Sequence, residues 1–392
     1  MTIPITKPVF GDEERRAILG PLDSGWVVQG PRVREFEDRF ARFTGAHGCV
    51  ASSSCTTALH LAVAALGLGV GDEVIVPAFT WVATANVVEY AGATPVFCDI
   101  RLSDFNLDVS QLEAIVTPRT VGIIPVHLFG LCADMTAVMA FAERHKLWVV
   151  EDAACGFGAR INGRHAGTFG DAGCFSFHPR KAITTGEGGM ITTGREDIAS
   201  VTRSLRDHGA TRSDRERHGA TGAFLLADYP RLGFNYRMTD VQGALGCAQM
   251  QRAEWILAER RRVAARYDEG LADVEWLRRP QAEHGFEHGY QAYVCLFAPD
   301  QPSLANAAAL HERRNALMAA LEAQGIATRQ GTHAAALVDY YAQRYRLTPE
   351  DFPHAWIADR VSLTLPLYPT MTDLEQDTVV EALQRAFAAA VH

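Results

Sequence analysis

The chain reads as an α/β fold with a mostly parallel central sheet, helices on both faces and a smaller C-terminal α+β domain. Two observations predict it: from about residue 45, short β runs alternate with helical stretches, and those runs are continuously Val/Ile-rich. Parallel strands covered on both faces read as unbroken apolar runs, whereas half-exposed strands alternate. In order, "CVASSS" leads to the helical "TTALHLAVAAL", "DEVIVPA" to "VATANVVEYAG", "TPVFCDI" to "VSQLEAIV" and "TVGIIPVH" to "DMTAVMAFAERH". "LWVVEDA" closes the series. Parallel neighbours joined this way need helical crossovers.

After "LWVVEDA" the rhythm breaks. "DAGCFSFH" and "GGMITTG" read as two further strands, joined by a loop that holds Lys181. A long helical stretch from about Thr239 to Gly270 leads out of this domain. Beyond it, "AYVCLFAPD", the helix "NAAALHERRNALMAALEAQ", "GIATRQG", "VSLTLPLY" and a final helix from Asp373 predict the smaller domain. The expected division is residues 1–260 for an N-terminal arm and large domain, and 261–392 for the small one.

Bulk properties narrow the function classes. With 392 residues, 48% hydrophobic and 21% charged, the chain has the composition of a soluble globular protein with a sizeable core. A net charge of -9 argues against a nucleic-acid groove as its main business. No stretch has the length and apolarity of a membrane span, and "MTIPITKPVFGDEERR" lacks the pattern of a signal peptide. The eight cysteines are scattered without a C-x-x-C pair, the pattern of reduced thiols in a cytoplasmic protein.

Lysine is scarce. Only Lys7, Lys146 and Lys181 occur among 37 basic residues. Arginine cannot serve as an amine nucleophile and lysine can, so a lysine in the small-residue stretch "CFSFHPRKAITTGEGGM" draws attention, although a solvated surface charge is the plain alternative. In an open α/β sheet, ligands bind at the carboxyl ends of the strands. "SSSCTTALHL" places Ser54, Cys55, Thr56 and Thr57 at such an end, where free N–H groups and hydroxyls suit a phosphate or simply cap the helix. "FTWVATAN" places Trp81 past another strand end, either to stack on a flat ring or to fill core. "VVEDAAC" ends an apolar strand with Glu151 and Asp152, whose buried charge calls for a cationic ligand nitrogen, a helix cap or an ion pair.

Together, a phosphate cradle, an aromatic plate, a buried carboxylate and a lone lysine make the four parts of a pyridoxal phosphate site. The amine forms a Schiff base with the cofactor aldehyde, and the carboxylate keeps the pyridine nitrogen protonated. The glycines of "TTGEGG" are expected to let a flexible backbone pass close to the cofactor. Two other patterns carry less. "GLGVGD" runs from helix to strand, the reverse of a dinucleotide loop, and "EHGFEHG" offers His284, Glu287 and His288 without a regular element to fix metal geometry. No metal is expected.

"VVEDAACGFGARINGRHAGTFGDAGCFSFHPRKAITTGEGGMITT" resembles the core signature of the DegT/DnrJ/StrS sugar aminotransferases, which have the fold-type I PLP architecture. "SGWVVQGPRVREFE", "PVHLFGLCADM", "LRDHGA", "LGFNYRMTDVQGALG" and "SLTLPLYPTMTD" extend the resemblance over nearly the whole chain. It implies Lys181 as the Schiff-base lysine and Asp152 as partner of the pyridine nitrogen, both catalytic. Trp81 would stack on the ring, and Thr56, the backbone at Thr57, and Ser176 would bind the phosphate. Asn235 would reach the cofactor phosphate of a second subunit, which implies a homodimer with shared sites.

Where relatives carry His or Gln to meet the cofactor's phenolic oxygen, this chain has Cys155, a weak donor or mere filler. The implied reaction moves the amino group of L-glutamate, through pyridoxamine phosphate, to a nucleotide-linked keto sugar. Candidate substrate contacts are Trp26, His178, Arg180, Glu187, Arg329 and His333, with Arg34 a further cation for a diphosphate. Burial and a neighbouring cationic or Schiff-base system are expected to lower the Lys181 pKa towards neutrality. Sugar 3-dehydratase relatives carry histidine at the lysine position, so Lys181 argues for amino transfer. An inosose-type ketone or a non-catalytic regulatory role remain alternatives.

Overall fold

The computed structural model describes residues 2–211 and 227–391. Its chain begins with helices α1 (Asp12–Ser24) and α2 (Pro31–Thr44), followed by β1 (Gly48–Ser52), α3 (Cys55–Ala65), β2 (Glu73–Pro77), α4 (Ala83–Tyr90) and β3 (Thr94–Cys98). Then come α5 (Leu112–Ile115), β4 (Thr120–Ile123), α6 (Met135–His145) and β5 (Trp148–Asp152). Two-residue strands β6 (Arg160–Ile161) and β7 (Arg164–His165) precede β8 (Ala172–Ser176), β9 (Gly189–Thr193) and α7 (Glu196–Arg206).

The seven-stranded sheet has the order β1-β9-β8-β5-β4-β2-β3. β9 runs antiparallel to both β1 and β8, and the other pairings are parallel. The carboxyl ends of β1, β2, β5 and β8 therefore share one edge, where β9 begins. Side chains alternate between two covered faces, as the continuous apolar runs predicted. Val50, Val74, Val76, Val150, Cys174 and Ile191 join the core beneath α3 and α4. On the other face, Phe175 and Met190 pack with Phe36 and Phe40 of α2, and Ile75, Ile123 and Val149 with Val138 and Phe141 of α6.

The helical stretch expected from Thr239 to Gly270 is two helices, α8 (Asp240–Gln251) and α9 (Ala253–Gly270), divided at Arg252, which has φ -107° and ψ 3°. No glycine or proline marks the break. The division expected at 260/261 falls inside α9. Further strands are β10 (Leu277–Arg278), β11 (Phe286–Glu287), β12 (Tyr293–Phe297) and β13 (Ser362–Leu365), and further helices α10 (Ala307–Glu322), α11 (Asp339–Tyr345), α12 (Pro353–Val361) and α13 (Asp373–Val391). β10-β12-β13 form an antiparallel sheet under α10, α12 and α13, and their apolar residues merge into the same core as the large sheet. "GIATRQG" supplies single bridges, Ile326 to Ile3 and Arg329 to Thr364, in place of a strand. Among the described residues no helix is long and apolar enough to cross a membrane.

Candidate active site

The parallel strands deliver the expected residues to one edge. Alternation on β5 separates its two terminal carboxylates. Glu151 is fully buried and accepts from His127 Nε2 at 2.8 Å and from the backbone N–H groups of Gly167, Phe169 and Gly170 at 2.7, 2.6 and 2.7 Å. His127 Nδ1 accepts from Ala133 N–H at 3.1 Å, so its Nε2 carries the proton. Glu151 is thereby a structural anchor.

Asp152 turns to the opposite face, towards α3 and α4. Its Oδ2 accepts from Thr84 Oγ1 at 2.7 Å and its Oδ1 from Ala154 N–H at 3.1 Å. Burial drives the Asp152 pKa up, and Thr84, the Ala154 N–H, Lys181 and His127 offset this only in part. Its charge is therefore under-compensated, as expected of a carboxylate placed to meet a cation.

Lys181 lies in the connection between β8 and β9. Its backbone N–H bonds His178 O at 2.8 Å, and Phe177 closes the connection through Gly188 O and the Thr185 N–H at 2.9 and 3.0 Å. Lys181 Nζ donates to Cys155 Sγ at 3.1 Å. Burial lowers the Lys181 pKa, but Cys155, Cys55 and Asp152 outweigh it and the net direction is upward. The expected lowering by burial is present, and the chain's own acidic neighbours act against it.

The glycines after Lys181 have a packing role as well. Gly186 takes φ +81°, a Cβ on Gly188 would strike Thr185 Oγ1, and one on Gly189 would strike the Ser54 carbonyl oxygen. Gly188 and Gly189 are small because protein packs on protein there, tying the loop to the start of α3. Gly189→Ala is expected to destabilise the chain by about 1–3 kcal/mol, the usual cost of overpacking; an unchanged thermal midpoint would contradict this packing.

At the start of α3, Ser54 Oγ accepts from Thr57 N–H at 3.1 Å, and Thr57 Oγ1 accepts from Ser54 N–H at 3.0 Å. The Thr57 N–H, expected on the phosphate, is thus engaged by the cap. The N–H groups of Cys55 and Thr56 have no acceptor within the helix and remain the first-turn donors. Ser176 ends β8 opposite Gly189, its hydroxyl 3.4 Å from His178 N.

Trp81 is 61% exposed, which removes the core explanation, and its ring centroid is 5.9 Å from that of His333. Arg180 and Arg329 are close enough that Arg180 adds to burial in lowering the Arg329 pKa, and among the described residues neither makes an ion pair. His178 has its pKa lowered, first by burial, with Glu187 opposing, so these two are neighbours.

The remaining candidates have contacts of their own. Trp26 Nε1 donates to Gln29 O at 3.3 Å and the ring packs over Gly30. Arg34 pairs with Asp38 at 3.4 Å along α2. Asn235 bridges Asp207 through its backbone and is exposed. His288 is buried, with a pKa pushed down to about 3 by burial, and its Nδ1 accepts from Tyr290 N–H at 2.8 Å. Thr84 and His127 escaped the sequence reading. Thr84 stood within the quoted "FTWVATAN", three residues after Trp81, which puts both near the start of one helix at a strand end.

Residues 8–384 match the DegT/DnrJ/EryC1/StrS aminotransferase family. The chain belongs to this family. It is 38% identical over 385 residues to GDP-perosamine synthase of Caulobacter vibrioides, covering 98% of each. It is 36% identical over 382 residues to the spore coat polysaccharide biosynthesis protein SpsC of Bacillus subtilis, 97% of this chain and 96% of that one. The Streptococcus pneumoniae protein Spr1654, solved in PMP and PLP forms, has TM-scores of 0.91 and 0.90 at 28% identity, over 99% and 100% of this chain and all of Spr1654.

The protein is accordingly a PLP-dependent sugar aminotransferase. Its residues fit that cofactor: an under-compensated Asp152 for the pyridine nitrogen, first-turn N–H donors of α3 for the phosphate, and an exposed indole for the ring. Thr84→Val removes one donor to Asp152 while keeping its shape. A hydrogen bond to a charged group contributes about 1.5–3 kcal/mol, so PLP affinity should fall at least roughly 10-fold. Fluorescence titration checks this, and unchanged affinity would remove Thr84 from the site.

Proposed function

We propose that this aminotransferase moves the amino group of L-glutamate to a keto group of a nucleotide-linked sugar, a 3-keto or 4-keto 6-deoxy sugar, in two half-reactions. The observation that carries the chemistry is Lys181, held beside Cys155 and near the buried Asp152 at the edge where Thr56, Ser176 and Trp81 gather. When bound, PLP supplies an aldehyde that carries the amino group and a ring that accepts electrons. Asp152, oriented by Thr84 and the Ala154 N–H, holds the ring nitrogen protonated. Lys181 would supply the amine that holds the aldehyde, and the same amine, when free, would carry the proton at the reacting carbon.

Thr56, the backbone at Thr57, and Ser176 hold the phosphate, Trp81 covers the ring and Cys155 meets its phenolic oxygen. The Thr57 N–H would have to leave Ser54 Oγ to take part. Arg180 and Arg329, without carboxylate partners among the described residues, suit the diphosphate, with His178, Glu187, His333 and Trp26 as further sugar contacts. The nucleotide link is supported by the similarity to GDP-perosamine synthase over 98% of both chains. Asn235, exposed on this chain, suits a homodimer in which each subunit completes the other's phosphate site. The expected compartment is the cytoplasm.

The test is a panel of 3-keto and 4-keto nucleotide sugars with L-glutamate, read by product mass. Amination of at least one nucleotide-linked sugar supports the reading. Turnover of only free cyclic ketones such as inososes would overturn the nucleotide assignment. Sedimentation that finds an active monomer would overturn the shared site.

A further inference from the structure

The contact between Lys181 and Cys155 has a chemistry of its own. Nζ and Sγ are 3.1 Å apart, and neither side chain has to cross the chain to reach the other. All eight cysteines are free, and Cys155 alone is not buried. Burial pushes the other seven thiols upward, Cys247 to about 12, which keeps them protonated and poorly nucleophilic. The lysine is also held in place, since its loop is pinned by His178, Phe177, Thr185 and Gly188. One accessible thiol thus sits against the one amine of the site.

We propose that hydrogen peroxide drives a reversible sulfur–nitrogen cross-link between Cys155 and Lys181, which closes the site to PLP. In the first step the Cys155 sulfur attacks peroxide. An S–O bond forms as the O–O bond breaks, giving a sulfenic acid and water. In the second, the Lys181 ammonium releases a proton to solvent and the free amine attacks that sulfur. An S–N bond forms, the S–O bond breaks, and the hydroxyl leaves with the amine proton as a second water. Sulfur gives up two electrons, peroxide takes them, and the chain loses two hydrogen atoms. Two equivalents of a reducing thiol reverse the change, restoring thiol and amine and leaving the reductant as its disulfide.

The cross-link consumes the amine that the cofactor needs, so cross-link and cofactor exclude each other. The inference rests on the reading of Lys181 as the cofactor's amine.

The test treats the purified full-length chain with stoichiometric hydrogen peroxide, with and without prior PLP loading, followed by intact mass and tryptic mapping. Without PLP, the mass should fall by two hydrogens and peptides Leu147–Arg160 and Lys181–Arg195 should run as one species. PLP binding should fall at least tenfold and return after dithiothreitol. The loaded chain should resist, and Cys155→Ser should neither lose the mass nor lose PLP binding on peroxide treatment. Oxygen added to Cys155 with the Lys181 peptide separate would overturn the cross-link. Linked peptides with undiminished PLP binding would overturn the exclusion, while the reading of Lys181 itself stands or falls on borohydride trapping of the untreated, PLP-loaded chain.

Discussion

Lys181→Ala should abolish amino transfer, with the rate falling on the order of 10⁴-fold, the upper range for a positioned acid–base group. Both half-reactions need the same amine, once to bind the aldehyde and once to carry the proton, and no second lysine can substitute. Lys7 and Lys146 are the only others, and Lys146 sits at the far end of α6 in the left-handed conformation that ends that helix. Lys181→Arg separates charge from chemistry. It keeps a cation near Asp152 and Cys155 but cannot deprotonate. Equal inactivity of both variants would place the requirement on the amine. In each, PLP should bind at least tenfold more weakly, through the phosphate site and Asp152, and without absorbance near roughly 410–430 nm. Turnover within a few fold of the parent would sink the assignment.

Asp152→Asn has the second largest expected effect, a loss of about 10²–10³-fold in turnover, within the range set by removing one electrostatic partner of a reacting group. The amide keeps the shape. Its oxygen can accept from Ala154 N–H and its nitrogen can donate to Thr84 Oγ1, which has Thr80 Oγ1 as a further partner at 3.3 Å. What disappears is the charge that holds the ring nitrogen protonated.

The same substitution should stabilise the chain in the absence of PLP. The folded Asp152 pKa lies above its unfolded value because burial opposes the charge. The native state then binds this proton more tightly than the unfolded state, and its stability declines as pH rises from the unfolded towards the folded pKa. Above that window Asp152→Asn should raise the thermal midpoint, and well below it the two proteins should converge. A destabilised variant at neutral pH would show instead that the carboxylate's hydrogen bonds outweigh its burial.

Much of this site was legible because its parts lie at strand ends in chain order. The continuous apolar runs announced the parallel sheet, and the sheet brings Thr56, Asp152, Ser176 and Lys181 to one edge although up to 125 positions separate them. Sequence could not divide the labour of Glu151 and Asp152. Adjacent carboxylates on a strand face opposite sides, and only the fold shows that one side offers three backbone N–H groups and His127 while the other opens to Thr84. Nor could composition tell why "TTGEGG" is glycine-rich: Gly189 is small because Ser54 is against it, a contact between residues 135 positions apart. Nor could sequence show that Trp26 donates to Gln29 O and that Arg34 pairs with Asp38 along α2.

With only three lysines in the chain, reductive trapping tests the central claim most directly. Borohydride treatment of the PLP-loaded protein should fix the cofactor on the peptide containing Lys181, and on that peptide alone. Label on Lys7 or Lys146, or no covalent label despite bound PLP, would contradict the account.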